Sequence, residues 1–175
     1  NESPRDVPDQ ELTAWLDPAP FIQSASRPVA SRASGLEAAT KEGTLHNILG
    51  WLNREIEPTG YTSRELGALH TLRQREGDCT EFADLYAALA RASGIPTRVV
   101  AGFVHSGSGV LRAQEYHNWA ESLYEGKWHL ADPQRNMLDD AASRYIAMSV
   151  LGHRHNHPIP RGQLFELRGG DIEVE

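Results

Sequence analysis

One cysteine, Cys79, and two lysines are the scarcest reactive side chains of this 175-residue chain. A single thiol excludes an internal disulfide and leaves the redox compartment open. Basic residues number 17 against 24 acidic ones, and the net charge of −7 argues against a nucleic-acid partner, which needs a basic face. No apolar run approaches membrane-spanning length, so no integral span is expected. Internal repeats and low-complexity tracts are missing as well. What remains is 39% apolar and 23% charged, the composition of one soluble domain with a core. The first residue is Asn1 instead of Met, as expected of a processed or excised piece from which any leader would already be gone, so periplasmic, secreted and cytoplasmic locations all stay open.

Residues 1–34 carry Pro4, Pro8, Pro18, Pro20 and Pro28, and they read as an extended segment wrapping the body, with at most short helical pieces. Trp15, Leu16, Phe21 and Ile22 are its expected anchors. Residues 35–175 read as a single domain. Leu45, Ile48, Leu49, Leu52 and Ile56 share one helical face, with Thr44 as the expected cap and Pro58 as the stop. Ser63 is expected to cap a short helix bearing Leu66, Leu69 and Leu72.

The informative stretch is Gly77-Asp78-Cys79-Thr80-Glu81, which opens a helix ending near Gly94 and Pro96. Asp78 and Glu81 have the spacing of a capping box, which puts Cys79 in the first turn. Phe82 and Tyr86 lie on the same stripe as Cys79, so the sulfur is expected to face protein. The positive end of the macrodipole and the unpaired N–H groups there are expected to favour a thiolate. Position alone leaves a buried small hydrophobe equally open, because a nucleophile also needs a base.

The period then changes from helical to two. Arg98 to Val104 reads as a strand buried on both faces, Ser106-Gly107-Ser108-Gly109 as a loop, and Tyr116–Tyr124 and Lys127–Asp132 as a hairpin turning at Glu125-Gly126. A two-residue turn sets Trp119 opposite Asp132 and places His117 on the same face, a diagonal neighbour about 7–8 Å along the sheet. An imidazole and a carboxylate so placed hydrogen-bond readily. A three-residue turn would put them on opposite faces. Thiol, imidazole and acid, in that chain order, are the parts that acyl transfer through a thioester requires.

The segments GDCTEFADLYAALARASGIPTRVVAGFV and YHNWAESLYEGKWHLADPQ resemble the core of the transglutaminase-like superfamily of cysteine acyltransferases and hydrolases, particularly its bacterial members. The resemblance is strong from Leu69 to about Asp140. It implies an α+β, papain-like fold with the nucleophile's helix packed on a small antiparallel sheet. It matches Cys79 to the family's nucleophile, His117 to its histidine and Asp132 to its acid. The chemistry implied is attack on a carboxamide of a protein or peptide, with an amine or water as acceptor. Such folds also serve as non-catalytic binding modules.

The Cys79 N–H is the expected oxyanion donor, Gln74 and Tyr61 are candidates for a second, and Trp119 is a candidate wall of the site. No cofactor is expected. His153, His155 and His157 alternate and would share one face of an extended segment, but no cysteine or well-spaced carboxylate accompanies them, so no metal site is assigned. Residues 163–174 read as a terminal hairpin, and nothing in the chain sets an oligomeric state.

Overall fold

The computed structural model describes residues 9–61, 65–105, 110–111, 113–140, 142–151 and 172–173. The central element is α5 (Cys79–Ala92), of which every side chain from Thr80 to Arg91 is buried. Around it lie α2 (Arg27–Ser34), α3 (Lys41–Glu55) and α4 (Ala68–Gln74), with the short α1 (Asp9–Ala14) upstream. Leu45, Ile48, Leu49 and Leu52 of α3 are buried to within 2%. Each such side chain contributes about 1.5–3 kcal/mol of transfer free energy.

On the other side of α5 stands a five-stranded antiparallel sheet. In chain order its strands are β3 (Thr97–Val104), β5 (Tyr116–Tyr124), β6 (Lys127–Asp132), β7 (Met137–Leu138) and β8 (Tyr145–Leu151), and their spatial order is β7-β6-β5-β3-β8. The fold is therefore α+β with the helix packed on an antiparallel sheet, as expected. Val99, Ala120 and Ala131 meet α5 in the main core, whereas Val100, Trp119 and Leu130 form a smaller cluster with Tyr145 against them. β3 lies between β5 and β8 and is buried along nearly its whole length. A pairing irregularity falls between Ala101 and Gly102, where a Cβ on Gly102 would run into the Ile146 carbonyl and approach the Trp119 ring at 2.8 Å. Glycine there lets β8 close on β3.

The hairpin has the predicted register, with Tyr124 paired to Lys127 and Ala120 to Ala131. Glu125 and Gly126 both take positive φ, 50° and 75°, as a two-residue turn of matching twist requires. Two short pairs complete the architecture. β1 (Glu57–Pro58) runs parallel to β2 (Glu76–Gly77), and β4 (Val110–Leu111) pairs antiparallel with β9 (Ile172–Glu173). The remainder of the expected terminal hairpin lies outside the described residues, as do residues 106–109.

Three helix starts differ from the local pattern. α3 begins at Lys41, because Thr40 and not Thr44 provides the cap, its hydroxyl accepting the Gly43 N–H at 3.0 Å. Thr44 instead sits inside the helix and donates back to the Thr40 carbonyl at 3.1 Å. α4 begins at Ala68, with Leu66 left outside it and exposed. Its Leu69 N–H is capped at 2.9 Å by the side chain of Gln23, 46 residues upstream, a partner no local pattern reveals. Ser63, the expected cap, lies outside the described residues. Residues 27–34, expected within an extended stretch, form α2, because Pro28 occupies the first turn, where a missing N–H does no harm. Val29 and Ala33 of that helix are buried in the core. Farther upstream, Trp15 accepts the Thr97 N–H through its carbonyl, and Asp17 accepts Arg91 at 2.6 Å.

Candidate active site

The cysteine turn is built as the sequence predicts. Asp78 is extended, its carboxylate accepts the Thr80 N–H at 2.8 Å and also takes the Glu81 N–H, and the Glu81 carboxyl accepts the Asp78 N–H at 3.2 Å. Glu81 reaches further, accepting the Leu66 N–H at 3.2 Å and tying the preceding loop to the turn. Gly77 makes room for it, since a Cβ there would come within 2.5 Å of the Glu81 Cβ. The Phe82 N–H goes to the Asp78 carbonyl. Of the N–H groups opening the helix, that of Cys79 is the one these bonds leave unused.

The acidity of the thiol differs from expectation. Burial pushes the Cys79 thiol up to about 11, and the carboxyls of Asp78 and Glu81 push the same way. Hydrogen bonds from the Asn118 backbone N–H and the Thr80 side chain oppose the rise without overcoming it. The helix start therefore does not leave a resting thiolate at neutral pH, and a base must take the proton.

Asn118 is available to the sulfur because of hairpin parity. Counting back from the Tyr124–Lys127 pair, every second residue of β5 turns its N–H toward β6, and Asn118 is one of them. β6 ends at Asp132, ahead of Pro133, and the Asn118 backbone N–H is among the groups that favour the Cys79 thiolate. The neighbouring residue, His117, is 5% exposed, and its Nε2 lies 2.7 Å from Asp132 Oδ2. Its other ring nitrogen, Nδ1, takes no part in that bond.

Asp132 is fully buried and more heavily partnered than the sequence suggests. The Tyr145 hydroxyl donates to the same Oδ2 at 2.7 Å, the Arg135 N–H donates to Oδ1 at 3.2 Å, and the Arg135 guanidinium stands 3.6 Å away. Burial alone would raise its pKa. The bonds and charges of His117, Tyr145 and Arg135 outweigh that effect and hold the carboxyl below its ordinary value.

Trp119 is almost wholly buried and meets Tyr145 edge to face at 5.2 Å, so it is packed into the sheet face beneath the site. Gln74 is exposed at the end of α4, and Tyr61 is exposed in the loop after β1. The groups whose hydrogen bonds lower the Cys79 thiol are the Asn118 backbone and the Thr80 side chain. Asn118 sits inside the quoted motif, and the parity of its strand was the signal that could have found it. Tyr145 arrives from β8, with no local signature. Beside Asp132 opens a cleft of about 310 Å³, bordered by Val104, Glu115, Met137 and Arg144 and meeting the site at Arg135 and Tyr145. Among the described residues no three metal-ligating side chains cluster, and His153, His155 and His157 lie outside them.

Residues 29–133 match the model of the transglutaminase-like superfamily core. The chain belongs to the transglutaminase-like superfamily. An uncharacterized protein of Mycobacterium leprae is 30% identical over 121 residues, which cover 66% of this chain and 41% of that one. Among solved structures, a candidate cysteine protease from Cytophaga hutchinsonii superposes with a TM-score of 0.66 at 22% identity, over 86% of this chain and 51% of the other. The periplasmic domain of TgpA from Pseudomonas aeruginosa gives 0.64 at 21% identity, over 75% and 49%. The superfamily member described here thus spans about half the length of these structural relatives, with which it shares its fold.

Proposed function

We propose that this chain catalyses acyl transfer from carboxamide groups, glutamine side chains or peptide-like amides, through a thioester on Cys79. The observation that carries the proposal is the His117–Asp132 bond through Nε2. It leaves Nδ1 as the free ring nitrogen on the residue adjoining Asn118, whose N–H bonds the sulfur. In this mechanism His117 takes the thiol proton through Nδ1, and the thiolate attacks the carboxamide carbon. The oxyanion forms beside the Cys79 N–H. The protonated imidazole, held by Asp132, then gives its proton to the departing amine as the C–N bond breaks and the thioester remains. An incoming amine or water, deprotonated by the same ring, releases the acyl group and restores the thiol.

Burial of the thiol supports a role for the base, since a sulfur protonated at neutral pH gains most from a neighbouring imidazole. The test is incorporation of a labelled primary amine into a glutamine-rich protein, read beside ammonia release and peptide cleavage. The proposal expects label incorporation with matching ammonia release, both lost in Cys79→Ala. Ammonia or cleavage without incorporation would make the chain a hydrolase. Activity that survives Cys79→Ala, or no turnover of any amide, would leave the fold as a binding module.

A further inference from the structure

We propose that the cleft beside Asp132 binds a carboxylate of the substrate, the side chain of an acidic residue a few positions from the reacting carboxamide, with Arg144 as its chief ligand. That substrate class presupposes the acyl-transfer reading, although the binding itself is measured without turnover. The cleft holds about 310 Å³, at the small end of ligand sites, which suits one side chain. Two guanidiniums reach it from different elements, Arg135 from the turn after β6 and Arg144 from the turn Ala142–Arg144 that opens β8. Arg135 is already engaged, 3.6 Å from Asp132 Oδ2 and 3.4 Å from the Tyr145 hydroxyl. Arg144 is not. Among the described residues it takes part in no ion pair, and its one side-chain bond runs from Nε to the His105 carbonyl at 2.9 Å. That bond, with the His105 N–H donating to the Arg144 carbonyl at 2.7 Å, fixes the arginine at the edge of the cleft.

A guanidinium carries five N–H donors in one plane. The bond through Nε leaves four, including the two-nitrogen edge that meets a carboxylate with parallel bonds. Val104 and Met137 flank the cleft with apolar surface that suits the methylene of a short acidic side chain. The charges facing the cleft select its ligand. Glu115 borders it and the Asp132 carboxylate lies behind Arg135, so a dianion such as a phosphate monoester meets more repulsion there than a carboxylate does. The Tyr145 hydroxyl joins cleft to reaction, because Tyr145 lines the wall and donates to the Asp132 Oδ2 that also holds His117. An extended peptide advances about 3.3–3.6 Å per residue, so a cleft one side chain behind the imidazole is reached from about two to four residues away.

The probes are fluorescein-labelled, alanine-based peptides with one central glutamine and a single aspartate about two to four residues to either side, each beside its asparagine twin. Asparagine keeps the shape and removes the charge. Binding is read by fluorescence anisotropy on the Cys79→Ala protein, so no amide need turn over. At one position the aspartate peptide is expected to bind about fivefold tighter than its twin, and the ratio to fall within about twofold once Arg144→Ala or Arg144→Gln is added. In the active chain the same preference is expected in KM and not in kcat. Salt at about 1 M, which shortens screening to about 3 Å, should bring the ratio toward one with no substitution at Arg144. Equal binding of the twins at every position, a preference that survives both Arg144 substitutions, or one that salt leaves unmoved overturns the assignment. Succinate that binds the parent and not Arg144→Ala, while the twins stay equal, also overturns it and makes the cleft a site for a free carboxylate. An aspartate preference in a chain that turns over no amide would refute acyl transfer alone, whereas amine incorporation without that preference would refute the cleft assignment alone.

Discussion

Two imidazole–carboxylate pairs share strand β6, which supplies Asp132 to one and His129 to the other, and they differ in their surroundings. His117 and Asp132 meet at 2.7 Å, and His129 and Asp139 at 2.5 Å, with both histidines buried. Asp132 is sealed from solvent, whereas the Asp139 side chain is 48% exposed. The His129 ring stacks flat on Tyr124 at 3.5 Å, and its carboxylate partner also accepts the Leu130 N–H at 3.0 Å, fastening the chain after β7 to β6. His117 instead directly precedes Asn118, whose backbone hydrogen bond lowers the Cys79 thiol. A histidine bonded to an aspartate is therefore no mark of catalysis by itself. The difference lies in the surroundings: the acid of one pair is sealed and shared with Tyr145, whereas in the other the acid is half exposed and the ring's second nitrogen, Nε2, is buried without a hydrogen-bond partner among the described residues.

Replacing the two histidines should separate the pairs most widely. His117→Ala is expected to lower kcat/KM for amide transfer by about 10²–10⁴-fold, the usual contribution of a positioned acid–base, and His129→Ala by no more than a few fold with a lower Tm. Equal losses would erase the distinction. The acids come next. Asp132→Asn should cost about 10²-fold in kcat, because the amide no longer steadies a protonated ring. Asp139→Asn should keep most of the activity and lower stability by about 1 kcal/mol, the exposure of that carboxylate limiting its worth, as a denaturant titration would show.

Tyr145→Phe sharpens the same contrast more gently. It removes the hydroxyl that shares Oδ2 of Asp132 with His117 and should lower kcat about tenfold while KM moves little. A change confined to KM would assign Tyr145 to the cleft wall instead.

Much of the sheet side and of the candidate site was legible because its causes are local. A capping box spans four residues, a two-residue turn fixes register, and alternation then decides which side chains share a face with His117. What escaped depends on partners far along the chain. Gln23 caps α4, Tyr145 reaches Asp132 only after β8 folds back past Gly102, and α2 joins the core through Pro28 used as a helix opener. The thiol's acidity was misjudged for another reason. The helix terminus is visible in sequence, but the desolvation that outweighs it comes from burial in the folded chain.

The smallest expected effect concerns Glu81, the buried carboxyl beside the nucleophile. Burial first, and then its contacts with Asp78, raise it from an ordinary 4.5 to about 8. The folded chain thus holds a proton that the unfolded chain has lost between those values, so this group's contribution to stability falls as pH rises through that window and levels off above it. Glu81→Gln cannot lose that proton, and the drop in Tm from about pH 5 to about pH 9 should shrink by a few degrees relative to the parent. An identical drop in both proteins would place the proton elsewhere.

The central claim is that His117, and not its counterpart His129, serves the sulfur, and it is tested most directly by the rate of Cys79 alkylation with iodoacetamide near neutral pH. The account predicts about tenfold or slower alkylation in His117→Ala and a rate within about twofold of the parent in His129→Ala. Equal rates in the two variants would contradict it.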